Sequence, residues 1–341
     1  MNLNPVHVAV TGHTGFKGSW LILLLKTLGY KVSGISLPPK TDTLFTLANL
    51  GQYLDHNINM NILDRAQLQI ELENIAPDVV IHFAAQSLVR EGYREPVNTF
   101  DVNITGTLNV LLGIPKCVRS TLIITTDKVY KPNQLPAPYV ENDALGGLDP
   151  YSASKSAADL LTQSWMANNK DMAIGIARAG NVIGGGDWAK DRLLPDLLRN
   201  FEEKQKVILR NPRAIRPWQH VLDCLNGYLM MIDHIQKKES QLILNFGPNH
   251  EEKASVMDVF NIAAEYWGAD KAVDIIEDSM MKESDYLLLN SSKAMETLTW
   301  ENKLKLSDSV QWTVDWQKQF LNGGDARTIT ENQISRFLEI S

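Results

Sequence analysis

Cysteine is nearly absent from this sequence. The 341 residues include two, Cys117 and Cys224, far apart and in no C-x-x-C pair. That excludes a disulfide scaffold and a cysteine-rich zinc site, and it fits a reducing compartment. Long apolar runs are lacking as well. The longest, Trp20 to Leu25, is far too short to span a bilayer. No positive flank precedes an apolar stretch at Met1-Asn2-Leu3-Asn4-Pro5, so no signal peptide and a cytoplasmic location are expected. Positive charge is in deficit: 33 Lys and Arg stand against 40 Asp and Glu, a net charge of −7. A general nucleic-acid binder needs a basic footprint, which this chain does not have. There is no H-E-x-x-H or comparable ligand cluster, so no metal is expected. Internal repeats, low-complexity tracts and an obvious flexible linker are also missing. What is present is globular composition, 44% hydrophobic and 21% charged, on a chain long enough to bury a core unaided.

The first half alternates strand and helix signals. Apolar runs at His7–Val10, Lys31–Ser36, Asp78–Phe83, Thr121–Ile124 and Ala173–Ala177 read as strands. Between them lie helical stretches at Trp20–Leu28, about Asp64–Ile75, about Val97–Leu112 and about Ser152–Ala167. Strands this continuously apolar suit a parallel sheet covered on both faces, and the alternation implies an α/β, Rossmann-type doubly wound sheet. After about residue 185 the pattern loosens. Short strands at Val207–Leu209, Leu242–Phe246 and Val273–Ile276 and a helix at Val256–Trp267 predict a smaller, discontinuous C-terminal substrate-binding domain. The expected division is 1–185 for the first domain, with some later segments returning to it, and 186–341 mainly for the second.

Three motifs carry chemistry. Gly12-His13-Thr14-Gly15-Phe16-Lys17-Gly18 follows the first strand and opens the first helix. Glycines there let the backbone turn tightly and approach a pyrophosphate, while the helix N-terminus offers free N–H groups and partial positive charge. The spacing is G-x-x-G-x-x-G rather than G-x-G-x-x-G. The second motif is Tyr151-Ser152-Ala153-Ser154-Lys155, in which positions i and i+4 share one helix face. A tyrosine of pKa about 10 needs roughly 4 kcal/mol of help to ionise at neutral pH, and a fixed cation beside it can supply that. The third is Thr125-Thr126-Asp127-Lys128 at a strand's carboxyl end, where an open α/β sheet presents its ligand crevice. A hydroxyl, a carboxyl and an amine there can serve as hydrogen-bond donor, general acid and general base. A polar strand end with Asp127 capping a turn is an equal reading on spacing alone.

Together these motifs resemble the extended short-chain dehydrogenase/reductases that act on nucleotide sugars. The segments Val10–Trp20, Thr126–Lys128, Asp149–Lys155, Ala177–Trp188 and Arg216–Val221 are similar, more narrowly, to the CDP-glucose branch of the 4,6-dehydratases. The resemblance covers nearly the whole chain. It implies a nicotinamide cofactor, NAD, that oxidises a sugar at C4, loss of water across C5 and C6, and return of hydride to C6. It carries the role of C4 base to Tyr151, tuned by Lys155, a hydrogen bond to the C4 oxygen to Thr126, and protonation of the departing C6 hydroxyl to Asp127. Lys128, where related dTDP-glucose enzymes have Glu, is implied as the C5 base or as a charge that stabilises the enolate.

For the cofactor, the resemblance implies Gly12, Thr14, Gly15, Phe16, Lys17 and Gly18 at the pyrophosphate loop. It adds Asn61, Ile62, Phe83, Ala84 and Ala85 on the adenine side, and Thr125, Tyr151 and Lys155 near the nicotinamide. For the nucleotide-sugar substrate it implies Gln86 and Arg90 at the sugar, and Asn181, Arg192 and Arg216 at the diphosphate, where arginine suits by bidentate geometry. A homodimer is implied, built from the helix carrying Tyr151 and the helix near Val97–Leu112; neither nucleic acid nor membrane is an expected partner. Trp188, Trp218, His13, His82 and His220 read as core side chains. The chain departs from its relatives at Asn61, which replaces an Asp, at Ser87, where proline is common, and at Lys282-Glu283-Ser284. No acidic residue follows the second strand. The alternatives are a dehydratase or C4 epimerase for another nucleotide sugar, and a catalytically silent dinucleotide-binding protein.

Overall fold

The computed structural model describes residues 6–132, 137–238, 240–249, 253–276 and 285–340; Lys282, Glu283 and Ser284 lie outside the described residues. Eleven strands are described, in chain order β1 (His7–Thr11), β2 (Lys31–Ser36), β3 (His56–Asn59), β4 (Val79–His82), β5 (Ser120–Thr126), β6 (Ile174–Ala179), β7 (Asn181–Ile183), β8 (Val207–Arg210), β9 (Trp218–His220), β10 (Leu242–Phe246) and β11 (Val273–Ile276). Seven form one sheet in the order β10-β6-β5-β4-β1-β2-β3. All neighbours are parallel. The strand order reverses between β1 and β4, which are paired from Val8↔Val79 to Thr11↔His82. A crevice at the carboxyl ends of such strands is where this architecture takes ligands. The doubly wound sheet expected from the sequence is therefore the observed one.

Burial explains the run-like strands. β4 and β5 are buried at every position, because helices cover both faces of the sheet. Two elements differ from the sequence reading. β3 reads His-Asn-Ile-Asn and is mostly exposed; an edge strand with one apolar residue gives no hydrophobic signal, and it was not expected. β10 was expected in the irregular second half, yet it joins the main sheet, with Leu242 opposite Gly175 and Phe246 opposite Ala179. Its Leu244 and Phe246 are fully buried, and Phe246 meets Trp300 edge-on at 5.0 Å.

The helix expected near Val97–Leu112 is interrupted. Pro96–Phe100 leads into a π-helical turn at Asp101–Thr105 and then Gly106–Gly113. Gly106 sits where a Cβ would come within 2.5 Å of Ile62. The helix carrying the Tyr–Lys pair, Pro150–Asn168, starts as its sequence dictates. Pro150 occupies the first turn, and the Asp149 side chain accepts from Ser152 N at 3.0 Å. Part of the later chain forms a smaller cluster at the sheet's carboxyl edge. β7 pairs with β9 and β8 with β11. Around them Leu197, Phe201, Val259, Phe260, Val310 and Val314 make a second core.

One polar assembly ties the site-bearing elements together. Tyr151, Lys155 and Asp159 follow one another at i, i+4 and i+8 along one helix face. Asp159 is fully buried and takes two hydrogen bonds from Arg178 of β6, at 2.9 and 2.8 Å, and one from the Thr125 hydroxyl of β5 at 3.0 Å. Arg178 also donates to Tyr130 Oη, which donates to Asn245 of β10 at 2.6 Å. Breaking a buried pair by removing one partner typically costs about 3–5 kcal/mol, whereas an apolar replacement of both is often neutral. Arg178→Met is thus expected to lose about 3–5 kcal/mol of stability, and Arg178→Met with Asp159→Leu to recover most of it, read by urea denaturation of the single and double variants.

Candidate active site

A cleft of about 640 Å³ opens over the carboxyl ends of β4, β5 and β6. Phe16 and Lys17 of the glycine loop line it. Gly12 has φ 74°, and a Cβ there would stand 2.6 Å from Ala84 N. A Cβ on Gly18 would stand 2.5 Å from Gly12 O. These two glycines close the loop against itself and against the β4 loop. Gly15 is exposed, and it ends the loop without a side-chain cap on the Phe16–Thr27 helix. An uncapped helix start behind an exposed glycine is the cradle that a pyrophosphate needs, so the residues present fit a dinucleotide. Thr14 ties the loop to the end of β2 through Ser36 Oγ at 2.8 Å.

The strand-end triplet lies where the sequence reading put it, beside the Tyr–Lys pair. Asp127 is buried; its Oδ1 accepts from Thr126 Oγ1 at 2.9 Å, and its Oδ2 is buried with no partner. Burial pushes the Asp127 carboxyl above its ordinary pKa, against the opposing pull of Lys128, Thr126 and Arg216. Tyr151 is nearly buried, and burial pushes its phenol up to about 12, with Thr126 and Arg192 acting against the rise and Asp127 and Asp149 adding to it. The Lys155 ammonium donates to Ile124 O at 2.8 Å. Burial, and then the charge of Lys17, bring Lys155 down to about 8, while Asp159 raises it. In the ligand-free chain desolvation is the largest influence on Tyr151.

The residues expected at the substrate divide. Arg90, Asn181, Arg192 and Arg216 line the cleft. Gln86 does not. Its amide accepts from Leu88 N at 2.6 Å and donates to Leu88 O and to Thr99 Oγ1, so it is committed to holding its own loop. Of the cofactor set, Phe16, Lys17, Phe83, Ala85, Thr125, Tyr151 and Lys155 line the cleft as well. Asn61 is exposed and accepts from Leu63 N at 3.0 Å, while Ile62 is buried. Lys17 lies 5.8 Å over the Tyr228 ring, and burial lowers its pKa. Trp218 is buried, and Trp188 packs edge-on against Trp316 and Phe320. His82 bridges Thr11 and Thr107, and His13 meets Asn57 at 2.9 Å. Burial lowers His82 and His220 to about 3, which keeps both rings neutral at physiological pH.

Three residues escaped the sequence reading. Asn103, turned inward by the π-helical turn, donates to Gln86 O and to Ser154 Oγ at 2.8 Å and accepts from Gln86 N. Nothing in the local sequence marks it. Asp159 could have been found from its place one helical repeat beyond Lys155. Asp191, on the cleft wall, carries φ 64°, which no sequence pattern announces.

Residues 8–247 match the NAD dependent epimerase/dehydratase family. The chain belongs to that family. NAD, expected from the sequence, is the family's cofactor. The CDP-glucose 4,6-dehydratase of Salmonella typhimurium is 38% identical over 97% of this chain and 96% of its own length. The UDP-glucose 4-epimerase of Mycoplasma pneumoniae is 26% identical over 92% of this chain and 97% of its own. Among solved structures, the fold is shared with a dTDP-glucose 4,6-dehydratase from Streptomyces venezuelae with NAD bound, at TM-score 0.81 and 21% identity, covering 94% of this chain and 100% of that one. It is shared also with a UDP-glucose-4-epimerase from Stenotrophomonas maltophila with NAD bound, at TM-score 0.83 and 20% identity, covering 94% and 100%.

Close packing at Gly12 makes the loop a sensitive probe of the site. Gly12→Ala is expected to cost about 1–3 kcal/mol in backbone strain and to weaken NAD binding at least about tenfold, checked by thermal unfolding and by cofactor titration.

Proposed function

We propose that the chain is a CDP-glucose 4,6-dehydratase, converting CDP-D-glucose to CDP-4-dehydro-6-deoxy-D-glucose and water. The observation that carries this reading is Asp127: a carboxyl group raised in pKa by burial, with one oxygen unpartnered, in the same cleft as the Tyr–Lys pair. A C4 epimerase needs the pair alone, whereas a dehydratase must also protonate a departing hydroxyl. Lys128 beside Asp127 and the 38% identity to the Salmonella enzyme favour the CDP-glucose branch.

Bound NAD supplies a hydride acceptor that gives the hydride back, and a positive charge. The Gly12–Gly18 loop and the Asn61–Ile62, Phe83–Ala85 and Thr125 segments would hold it. Tyr151 would take the C4 hydroxyl proton during the oxidation at C4, and Thr126 would hydrogen-bond the C4 oxygen. Lys155, anchored on Ile124 O, holds the cofactor side of the site. The ketone acidifies C5. Lys128 acts there, as base if neutral and as enolate stabiliser if charged. Asp127 would give its proton to the C6 hydroxyl, which would leave as water; the C5 proton would return to C5, and the proton taken by Tyr151 would pass back to Asp127, so the residues end as they began. Arg192 and Arg216, with Asn181, would bind the diphosphate, and Arg90 lies toward the sugar. Residues 1–185 would bind the cofactor and 186–341 mainly the nucleotide sugar.

Assaying CDP-, dTDP-, UDP- and GDP-glucose, each deuterated at C4, tests the reading. CDP-glucose is expected to give a 4-keto product, absorbing in alkali, with the deuterium on its methyl group. Asp127→Asn should lower turnover about 10²- to 10⁴-fold. A C4 epimer without a ketone would favour the epimerase reading instead.

A cytoplasmic homodimer completes the proposal. Both cysteines are free, and no described helix is long and apolar enough to cross a membrane. Val97 and Leu160, on the two helices expected at the interface, are 73% and 53% exposed. Pairing of these helices with their symmetry mates would cover both side chains. Val97→Asp with Leu160→Asp is expected to halve the mass found by light scattering while leaving the far-ultraviolet spectrum unchanged.

A further inference from the structure

Three of the arginines lining the cleft come from three segments: Arg90 on the Val89–Arg94 helix, Arg192 just before the Leu193–Glu202 helix, and Arg210 at the end of β8. Each meets a carboxylate. Arg192 pairs with Asp187 at 2.8 Å and donates to Ser87 Oγ at 3.1 Å. Asp187 is buried, so this pair is a fixed part of the wall. The other pairing is different in kind. A single oxygen, Asp191 Oδ1, lies 3.4 Å from Arg90 Nε and 3.3 Å from Arg210 Nη1. It joins a helix on the main-sheet side of the cleft to a strand on the other. The Asp191 side chain is 27% exposed, within reach of solvent and of an incoming anion. Its backbone sits at φ 64°, a left-handed conformation disfavoured for most L-residues, and tolerated best by Gly, Asn and Asp.

We infer that Asp191 is a specificity-determining residue, whose carboxylate holds, in the free protein, the seat between Arg90 and Arg210 that a phosphate of the substrate takes on binding. This rests on the reading of the cleft as a nucleotide-sugar site, and it places Arg90 at the phosphate next to the sugar, with Arg192 and Arg216 holding the rest of the diphosphate. A carboxylate brings one negative charge to the two arginines. A diphosphate brings at least two, on oxygens that suit guanidinium forks, and so can displace it. A neutral sugar cannot, and a singly charged ligand competes with Asp191 on level terms. The carboxylate therefore keeps two like-charged arginines in place while the cleft is open, and it sets a threshold of charge for entry.

Isothermal titration with CDP at fixed ionic strength tests this on three proteins: wild type, Asp191→Asn and Asp191→Gly. Both substitutions suit the left-handed backbone and remove the charge. Partly exposed ion pairs of this kind are weak, so each variant is expected to bind CDP about 2- to 10-fold more tightly than wild type. Inorganic pyrophosphate should gain in the same sense. Were Asp191 needed only to position the arginines, both variants would bind more weakly. Weaker or unchanged binding in the two variants, with wild type binding CDP, overturns the role of Asp191 alone. Failure of wild type to bind any of CDP, UDP, dTDP or GDP overturns the nucleotide-sugar reading, and this inference with it.

Discussion

Desolvation of ionisable groups at the carboxyl ends of β5 and β6 is the constraint on which the site depends. Asp127, Tyr151 and Lys155 are all buried there, and in each case burial is the largest influence on the proton. It raises the carboxyl and the phenol and lowers the amine, so in each the charged form is disfavoured. A raised carboxyl suits a proton donor, whereas Tyr151 needs the positive charge of bound NAD beside it to act as a base, and the same burial would destabilise the fold if the surrounding charges were not paired. The Asp159–Arg178 pair meets that need, joining the helix of Tyr151 and Lys155 to β6 and hydrogen-bonded to the strand that ends in Thr125 and Thr126.

The cleft treats its charges in two ways. Deep in the site, the groups proposed for chemistry are few and dry. Nearer the mouth, arginines and aspartates alternate on loops and short strands; the Arg192–Asp187 pair is fixed, while the pairs of Asp191 with Arg90 and Arg210 are partly exposed and exchangeable. The first arrangement favours proton transfer, since electrostatic effects are strong where water is excluded. The second favours capture and release of a polyanion, since screened pairs are cheap to break.

Much of the sheet could be read from the chain because fully covered parallel strands write themselves as apolar runs. Val79–His82 and Ser120–Thr126 are of that kind. β3 could not be read, since an edge strand with a solvated face carries no such run, and β10 was assigned to the wrong region because sequence position says nothing of which sheet a late strand joins. At the site, Thr126, Asp127, Tyr151 and Lys155 were legible from motif spacing, and the structure brings them to one cleft. The protonation of Tyr151 was not legible, since burial is a property of the whole packing. The partners of Gln86 were not legible for a related reason: a polar side chain next to a site has hydrogen-bond partners that only the folded loop provides. Asn103 depends on a π-helical turn, and a one-residue change in helical winding leaves no mark on the composition.

The late arrival of β10 has a consequence for biosynthesis. A ribosome releases the first six strands well before Leu242–Phe246 emerges, and during that interval β6 lies at the border of the sheet with its ladder groups unmet. Unpaired borders of this kind attract other nascent chains. Synthesis pauses or truncations between residues 180 and 240 should thus favour aggregates over soluble fragments, and the tail of the chain acts as the closing seam of a sheet begun at its head.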